Sequence, residues 1–242
     1  MAVTDRLQNE IEHSRALSPH AEDIWGWSTP AGKLRAERRA QLLIEYAELS
    51  PGKKALEIGC GTGLFTEKLL RSGTDLVAVD LSDDLLEKAR ARKLLHCTVE
   101  RADAHELPYA DASFDAVCGS SILHHLEMEK ALREAYRVLK PGGKIAFAEP
   151  NMINPQILVQ KNIPWLKRRL GDSPDEGALT VWGTRRLLRR LGFRELLVFP
   201  HEFLHPLTPH VLIPFVRSLG GALERLPIAR EIAGSIFLTG RK

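Results

Sequence analysis

Between residues 54 and 150 short apolar runs alternate with segments of helical periodicity. "KALEIG", "DLVAVDL", "HCTVERAD", "FDAVCGSS" and "KIAFAEP" read as strands. Between them "LFTEKLLRSG", "SDDLLEKARARK" and "LEMEKALREAYRVLK" read as helices. Gly73 stops the first of these. Ser82 opens the second, which carries acids in its first turn and bases in its last. "PGG" closes the third. Parallel strands need crossover connections, and helices in the crossovers cover the faces of the sheet. The rhythm therefore predicts an α/β fold, a parallel sheet with helices on both faces.

Beyond 150 the rhythm breaks. "TRRLLRRLGF" reads as a helix with leucines inward and arginines outward, and "RELLVFP" and "GSIFLTGRK" read as strands. Residues 151–180 and 201–230 are apolar stretches punctuated by prolines, and we read both as insertions. Upstream, residues 1–20 form a polar helical segment, and "LRAERRAQLLIEYAEL" (34–49) has helical spacing. The division expected is an N-terminal helical lid segment over 1–50 and one domain over 51–242.

The 242 residues suffice for one sizeable core. A net charge of +3 gives no argument for nucleic acid as a partner. Cys60, Cys97 and Cys118 form no CxxC pair and no His/Cys ligand spacing, so no metal site is expected and the thiols read as reduced, which points to the cytoplasm. The polar, mixed-charge N-terminus does not read as a signal peptide. No apolar run approaches the roughly 20 residues that span a bilayer.

The chemistry concentrates in "ALEIGCGTGLF" (55–65). A strand-to-helix loop whose backbone must touch a ligand cannot carry Cβ atoms, and Gly59, Gly61 and Gly63 remove them. The amides there, with the following helix N-terminus, suit an anionic ligand group. Asp80 ends the second strand, 21 residues after Gly59, where a carboxylate can accept from ribose hydroxyls. Asp103 follows the third strand and Ser120 the fourth. In a parallel sheet all of these reach the same carboxyl edge. The dinucleotide fingerprint needs a glycine where Leu64 stands. Glu57, two residues before the first glycine, opposes a pyrophosphate and favours a cationic group. The ligand expected is a nucleoside bearing an amino acid and a cationic sulfur.

"LEIGCGTG", "VAVDLS", "ADAHELPYADASFDAV", "SSILHHL" and "VLKPGGKIAFAEP" stand in the order of the motifs of class I S-adenosylmethionine-dependent methyltransferases, which the chain resembles over about residues 50 to 150. The resemblance implies a Rossmann-like, seven-stranded, mostly parallel sheet with an antiparallel C-terminal strand. It implies S-adenosyl-L-methionine as cofactor and S-adenosyl-L-homocysteine as product. Gly59, Cys60, Gly61 and Gly63 would lie at the methionine moiety, with Glu57 behind the loop. Asp80 would hold the ribose and Leu81 the adenine face. Asp103 and Ala104 would meet the adenine edge, and Ser120 would offer its carbonyl to the amino group.

His124 and His125 follow the fourth strand, near the expected acceptor. An imidazole, with an unperturbed pKa of about 6.5, can deprotonate a hydroxyl. The competing reading packs one imidazole and solvates the other. His105 reads as packing. Trp25 and Trp27 read equally as core or as a lid. The arginines of 185–190 and the basic run 167–169 read as solvated faces. The apolar 201–230 stretch, where the family has a short hairpin, reads first as a pocket wall or lid. A dimer surface, or a membrane contact through 203–226, ranks behind that. The function expected is transfer of a methyl group to a small-molecule acceptor, at oxygen, in a monomer or homodimer. The acceptor would be a lipid-like, polyketide, quinone or sugar-type metabolite. The rivals are a nucleotide-dependent oxidoreductase, a non-catalytic nucleoside-binding protein and a nucleic-acid methyltransferase.

Overall fold

A computed structural model describes residues 3–169 and 177–242. The chain opens with α1 (Val3–Leu17), α2 (Ala21–Ile24) and α3 (Pro30–Tyr46). Then follow β1 (Lys54–Ile58), α4 (Leu64–Leu69), β2 (Asp75–Asp80), α5 (Asp83–Ala91), β3 (Cys97–Arg101) and β4 (Phe114–Ser120). Next come α6 (Met128–Val138), β5 (Leu139–Pro150), α7 (Pro155–Asn162), α8 (Pro164–Arg169) and α9 (Val181–Arg190). β6 (Arg194–His201), α10 (Ile213–Leu223) and β7 (Ser235–Arg241) complete it.

The seven strands run in the order β3-β2-β1-β4-β5-β7-β6. β7 is antiparallel to both of its neighbours, and the other pairings are parallel. The strand order reverses between β1 and β4. Loops at such a switch point diverge to opposite faces and leave a crevice at the carboxyl ends.

The central strands are buried on both faces, so the sheet has two cores. One gathers Leu56, Val117, Ile145 and Phe147 with Leu132 and Ala135 of α6 and Leu188 of α9. The other gathers Ala55, Ala116, Ala146 and Phe237 with Ala36, Ala40 and Leu43 of α3 and Leu69 of α4. The alanines on that strand face let α3 lie close to β4 and β5. This places the N-terminal half of α3 over the crevice.

Three local expectations change. Ser82 stands at the start of α5, but its buried hydroxyl has no partner and does not cap the helix. Its N–H is held instead by Asp80 Oδ1 at 3.0 Å. "LHHL" makes a single 3₁₀ turn, Leu123–His125, and α6 begins only at Met128. Of the 151–180 segment, residues 170–176 lie outside the described residues, and the remainder forms α7, α8 and a short bridge between Asn151 and Leu179.

Candidate functional site

The crevice is a cavity of about 780 Å³, within the size range of small-molecule and cofactor sites. Its walls include Gly59, Cys60, Gly61, Asp80, Leu81, Asp103, Ala104, Ser120, His124 and His125. Glu57 and Gly63 are not part of its wall.

The glycine loop is shaped by exclusion. Gly59 has φ +72°, and a Cβ there would lie 2.4 Å from Cγ1 of Ile122. Gly61 has φ +53°, and its Cβ position faces the ring of Trp25 at 3.6 Å. Gly63 precedes α4 at φ +80°, and its Cβ position is 3.2 Å from Ala89 of α5. Gly63 thus serves loop-to-helix packing, while Gly59 and Gly61 leave bare backbone at the cavity wall.

Asp80 ties two loops together. Its Oδ2 accepts from the Gly61 N–H at 2.8 Å, and its Oδ1 from Ser82. Burial pushes its carboxyl up, and the amides of Ser82 and Gly61 oppose that shift. Each oxygen keeps a further lone pair for a ligand hydroxyl. Glu57 is buried behind the loop, and its Oε2 has no hydrogen-bond partner. Burial raises its pKa to about 7, with Asp80 adding to the shift and the neighbouring Thr66 hydroxyl opposing it. Burial likewise pushes the Cys60 thiol far up, which leaves it inert as a nucleophile.

The two histidines separate in role. His124 Nδ1 lies 2.7 Å from Glu149 Oε2, and both side chains are buried. Glu149 Oε1 also accepts from the Ile122 and Leu123 amides, each at 3.0 Å. Burial pushes the Glu149 carboxyl up, but His124 and these amides outweigh it and hold the group below its ordinary range. An ionised Glu149 accepts the Nδ1–H of His124, which makes Nε2 the basic nitrogen. His125 Nδ1 instead meets Glu10 Oε2 of α1 at 2.9 Å, so it latches the N-terminal helix. The two rings pack against each other with centroids 4.2 Å apart, tilted by 39°.

Glu149 carried no signal in the sequence beyond its place at the end of "KIAFAE". His105, read as packing, is a connector. Its Nδ1 is 2.7 Å from Asp103 Oδ1, and its Nε2 accepts from the Glu127 N–H at 3.0 Å. That acceptor role places the proton on Nδ1 and joins the β3 loop to the start of α6.

The tryptophans also divide. Trp27 is core, packed edge-on against Phe65 at 5.3 Å. Trp25 is about one-third exposed and lies over Gly61 as a lid would.

Sequence reasoning missed Arg39. From α3 its buried guanidinium donates to Ser120 Oγ (3.1 Å), Ser121 Oγ (2.7 Å) and Ser235 Oγ (2.9 Å). Burial first, then Arg35 one turn earlier, lowers its pKa to about 9. The nearest carboxylates are engaged elsewhere, Glu149 with His124 and Glu202 with Arg38 at 3.7 Å. Arg35 also lines the cavity, and its Nε is buried without a partner. The only available signal was the repeat of arginines at one-turn spacing in "LRAERRAQ".

Residues 203–207 line the cavity, whereas residues 208–232 do not.

Comparisons with known proteins agree with this geometry. The family described as a methyltransferase domain matches residues 56–147. A demethylmenaquinone methyltransferase of Corynebacterium urealyticum is 44% identical over 104 residues, 42% of this chain and 44% of that protein. A malonyl-[acyl-carrier protein] O-methyltransferase of Erwinia billingiae is 37% identical over 108 residues, 44% of this chain and 42% of that protein. The matched region is thus under half the length of these relatives. Among solved structures, an S-adenosylmethionine-dependent methyltransferase of Thermotoga maritima, described as a possible histamine N-methyltransferase, superposes with a TM-score of 0.65 at 21% identity. That superposition covers 93% of this chain and 98% of that one, so the fold is shared well beyond the matched motifs. The bare-backbone loop, the rim carboxylate and the motif order agree with the match of residues 56–147 to a methyltransferase domain, on a fold shared with S-adenosylmethionine-dependent methyltransferases.

Proposed function

We propose that the protein transfers a methyl group from S-adenosylmethionine to an oxygen of a small amphipathic acceptor, with His124 as general base. The observation that carries this reading is that His124, held from behind by the buried Glu149, lines the same cavity as the glycine loop and Asp80. The residues present fit the nucleoside. Gly59 and Gly61 offer backbone unobstructed by side chains, Asp80 retains acceptor capacity for ribose hydroxyls, and Leu81, Asp103 and Ala104 wall the adenine side. The buried Glu57 carboxyl behind the loop, its Oε2 without a hydrogen-bond partner, suits a cation.

S-adenosylmethionine supplies, when bound, a methyl group already activated on a sulfonium. The protein's work is then to position the acceptor, exclude water and take a proton. Trp25 and α1 cover the site. Ile122, Leu126, Ile157 and Leu204 supply an apolar wall. Arg39, a buried cation held by three serine hydroxyls and the face of the Trp27 ring with no carboxylate in hydrogen-bond contact, receives an anionic group of the bound ligands. An apolar body with an acidic or phenolic hydroxyl fits this lining. The names of the two relatives, a demethylmenaquinone methyltransferase and a malonyl-[acyl-carrier protein] O-methyltransferase, support a small amphipathic acceptor, and the second supports transfer to oxygen.

Calorimetry with S-adenosylhomocysteine tests the nucleoside site, and transfer of labelled methyl to hydroxyquinones and malonyl thioesters tests the acceptor class. Binding without turnover across both acceptors would favour a non-catalytic role. Asp80→Ala should weaken S-adenosylhomocysteine by about 1.5–3 kcal/mol, the worth of a charge-assisted hydrogen bond. Unchanged affinity in a folded variant removes Asp80 from the ribose.

Glu57 adds a pH signature. Its folded pKa of about 7 lies above the ordinary value of 4.5, so between these the folded state binds more protons than the unfolded. Stability without ligand is therefore full below pH 4.5 and falls by about 3 kcal/mol as pH rises through 7. A cationic ligand favours ionised Glu57, so binding at pH 6 should release a proton. Calorimetry in two buffers of different ionisation enthalpy measures that release, and Glu57→Gln should abolish it. Equal proton release by both proteins would contradict the assignment.

A further inference from the structure

Arg35 is a cation at the cavity wall with no anion in contact. Its side chain is partly buried, and its Nε is shut off from solvent without a partner. Among the described residues no acceptor is in hydrogen-bond contact with its guanidinium. The face of the Trp27 ring meets it, with Cζ 5.3 Å from the ring centroid. Burial pushes its pKa down, and the Glu202 carboxylate opposes that shift without forming an ion pair with it. Glu202 is engaged elsewhere. Its Oε1 accepts from the Leu204 N–H at 2.9 Å, and its Oε2 lies 3.7 Å from Arg38. A guanidinium carries five N–H donors, and a buried donor left unmade is costly and rare in folded proteins. Arg39, one turn further along α3, shows the contrast, with three serine hydroxyls around it.

Sheet order identifies the end of the cavity at which Arg35 stands. Asp80 ends β2 and Asp103 follows β3, so the nucleoside residues gather towards the β3 edge. β6 is the opposite edge, and its last residue, His201, pairs with Ser235 of β7. The segment that follows, from Glu202 to Leu207, lines the cavity. Arg35 lies beside that segment, since burial first and then the Arg35 charge lower the pKa of His205. His205 in turn meets Gln156 of α7 at 2.9 Å, which brings Ile157 to the same end. His124 follows β4, in the middle of the sheet order. A molecule with its reacting oxygen at His124 and its body away from the nucleoside therefore extends past Ile157 and Leu204 towards Arg35.

We propose that Arg35 is a specificity-determining residue that binds an oxyanion of the acceptor, a carboxylate or a phosphate, at the β6 end of the cavity. The planar fork of a guanidinium donates two parallel hydrogen bonds to such a group. The anion site stands on Arg35 and its surroundings. That the anion belongs to a methyl acceptor rests on the methyltransferase reading above.

Calorimetry on the full chain, with and without saturating S-adenosylhomocysteine, tests the site with pairs of probes. The pairs are para-hydroxycinnamate and ω-hydroxydodecanoate, each beside its methyl ester, and phenyl phosphate beside phenol. At least one anion should bind wild type about tenfold or more tightly than its neutral partner, as a charge-assisted hydrogen bond gives. Preference within the carboxylate pairs or within the phosphate pair tells which oxyanion the site takes. Arg35→Met should erase the preference, and Arg35→Lys should keep part of it. Arg35→Met should also melt no more than about 3 °C below wild type, because it removes no hydrogen bond. Its affinity for S-adenosylhomocysteine should stay within about twofold. Wild-type protein that prefers no anion overturns the proposal, as does a preference that survives in Arg35→Met. A larger fall in melting temperature would make Arg35 structural. A tenfold loss of S-adenosylhomocysteine affinity in Arg35→Met would give Arg35 to the carboxylate of the nucleoside ligand, and either result overturns the proposal. Anion preference that depends on Arg35 in a protein that binds no S-adenosylhomocysteine would support the site and count against the methyltransferase reading.

Discussion

Turnover falls about 10²–10⁴-fold when His124 is replaced by alanine, the range a positioned general base contributes, while affinity for S-adenosylhomocysteine changes little. The expectation follows from how the imidazole is held. Glu149 fixes Nδ1 at 2.7 Å, and Glu149 is itself fixed by two amides, so His124 has one tautomer and one orientation. Glu149→Gln should lower kcat by a smaller factor, because an amide still accepts from Nδ1–H but no longer stabilises the imidazolium. Glu149→Ala is a poorer test, since breaking a buried ionic pair costs about 3–5 kcal/mol of stability and confounds the rate. His125→Ala should act through α1 and change nucleoside affinity more than turnover, since its partner is Glu10. Rates within a few-fold of wild type for both single variants would assign the histidines to packing.

The second large effect is at Gly59. Alanine there must adopt a left-handed φ of +72° and place its Cβ 2.4–2.7 Å from three atoms of Ile122. The first cost is about 1–2 kcal/mol. The second is harder to relieve, because the contact includes Ile122 Cβ and the Ile122 amide is anchored to Glu149. We expect a total loss of about 2–4 kcal/mol of stability, with S-adenosylhomocysteine binding reduced below detection. Gly52→Ala is the control. It shares a positive φ of +82° but has nothing within 4 Å, so it should show only the backbone cost and bind normally. Chemical denaturation and calorimetry on the two variants separate the contributions. Equal destabilisation and equal binding would mean that close approach of backbone at Gly59 is unimportant.

Much of the site was legible because it is local. Gly59 and Gly61 lie in the loop that follows β1 and Asp80 ends β2, and a strand's end at a parallel sheet's carboxyl edge is a position that chain order already implies. Leu81, Asp103 and Ser120 inherit their places in the same way. Glu149 was invisible because a carboxylate at a strand end has many ordinary uses, and its partner lies 25 residues away. Arg39 was less visible still. Its role depends on Ser235, 196 residues distant, and on a serine pair that the sequence marks only as the end of β4.

The chain order of strands and helices, the side-chain-free loop and the rim acid are properties of short segments, governed by periodicity, by backbone freedom at glycine and by strand ends. The amino-acid sequence determines these by itself. Only the tertiary structure decided that His124 and not His125 meets Glu149, that Trp27 is core while Trp25 covers Gly61, and that the apolar 203–232 stretch splits into a cavity wall and an exposed face. The physical reason is common to all of these. Which polar partner a side chain finds, and which side of a helix is covered, depends on elements brought together by packing across the sheet, and no local pattern encodes that distance.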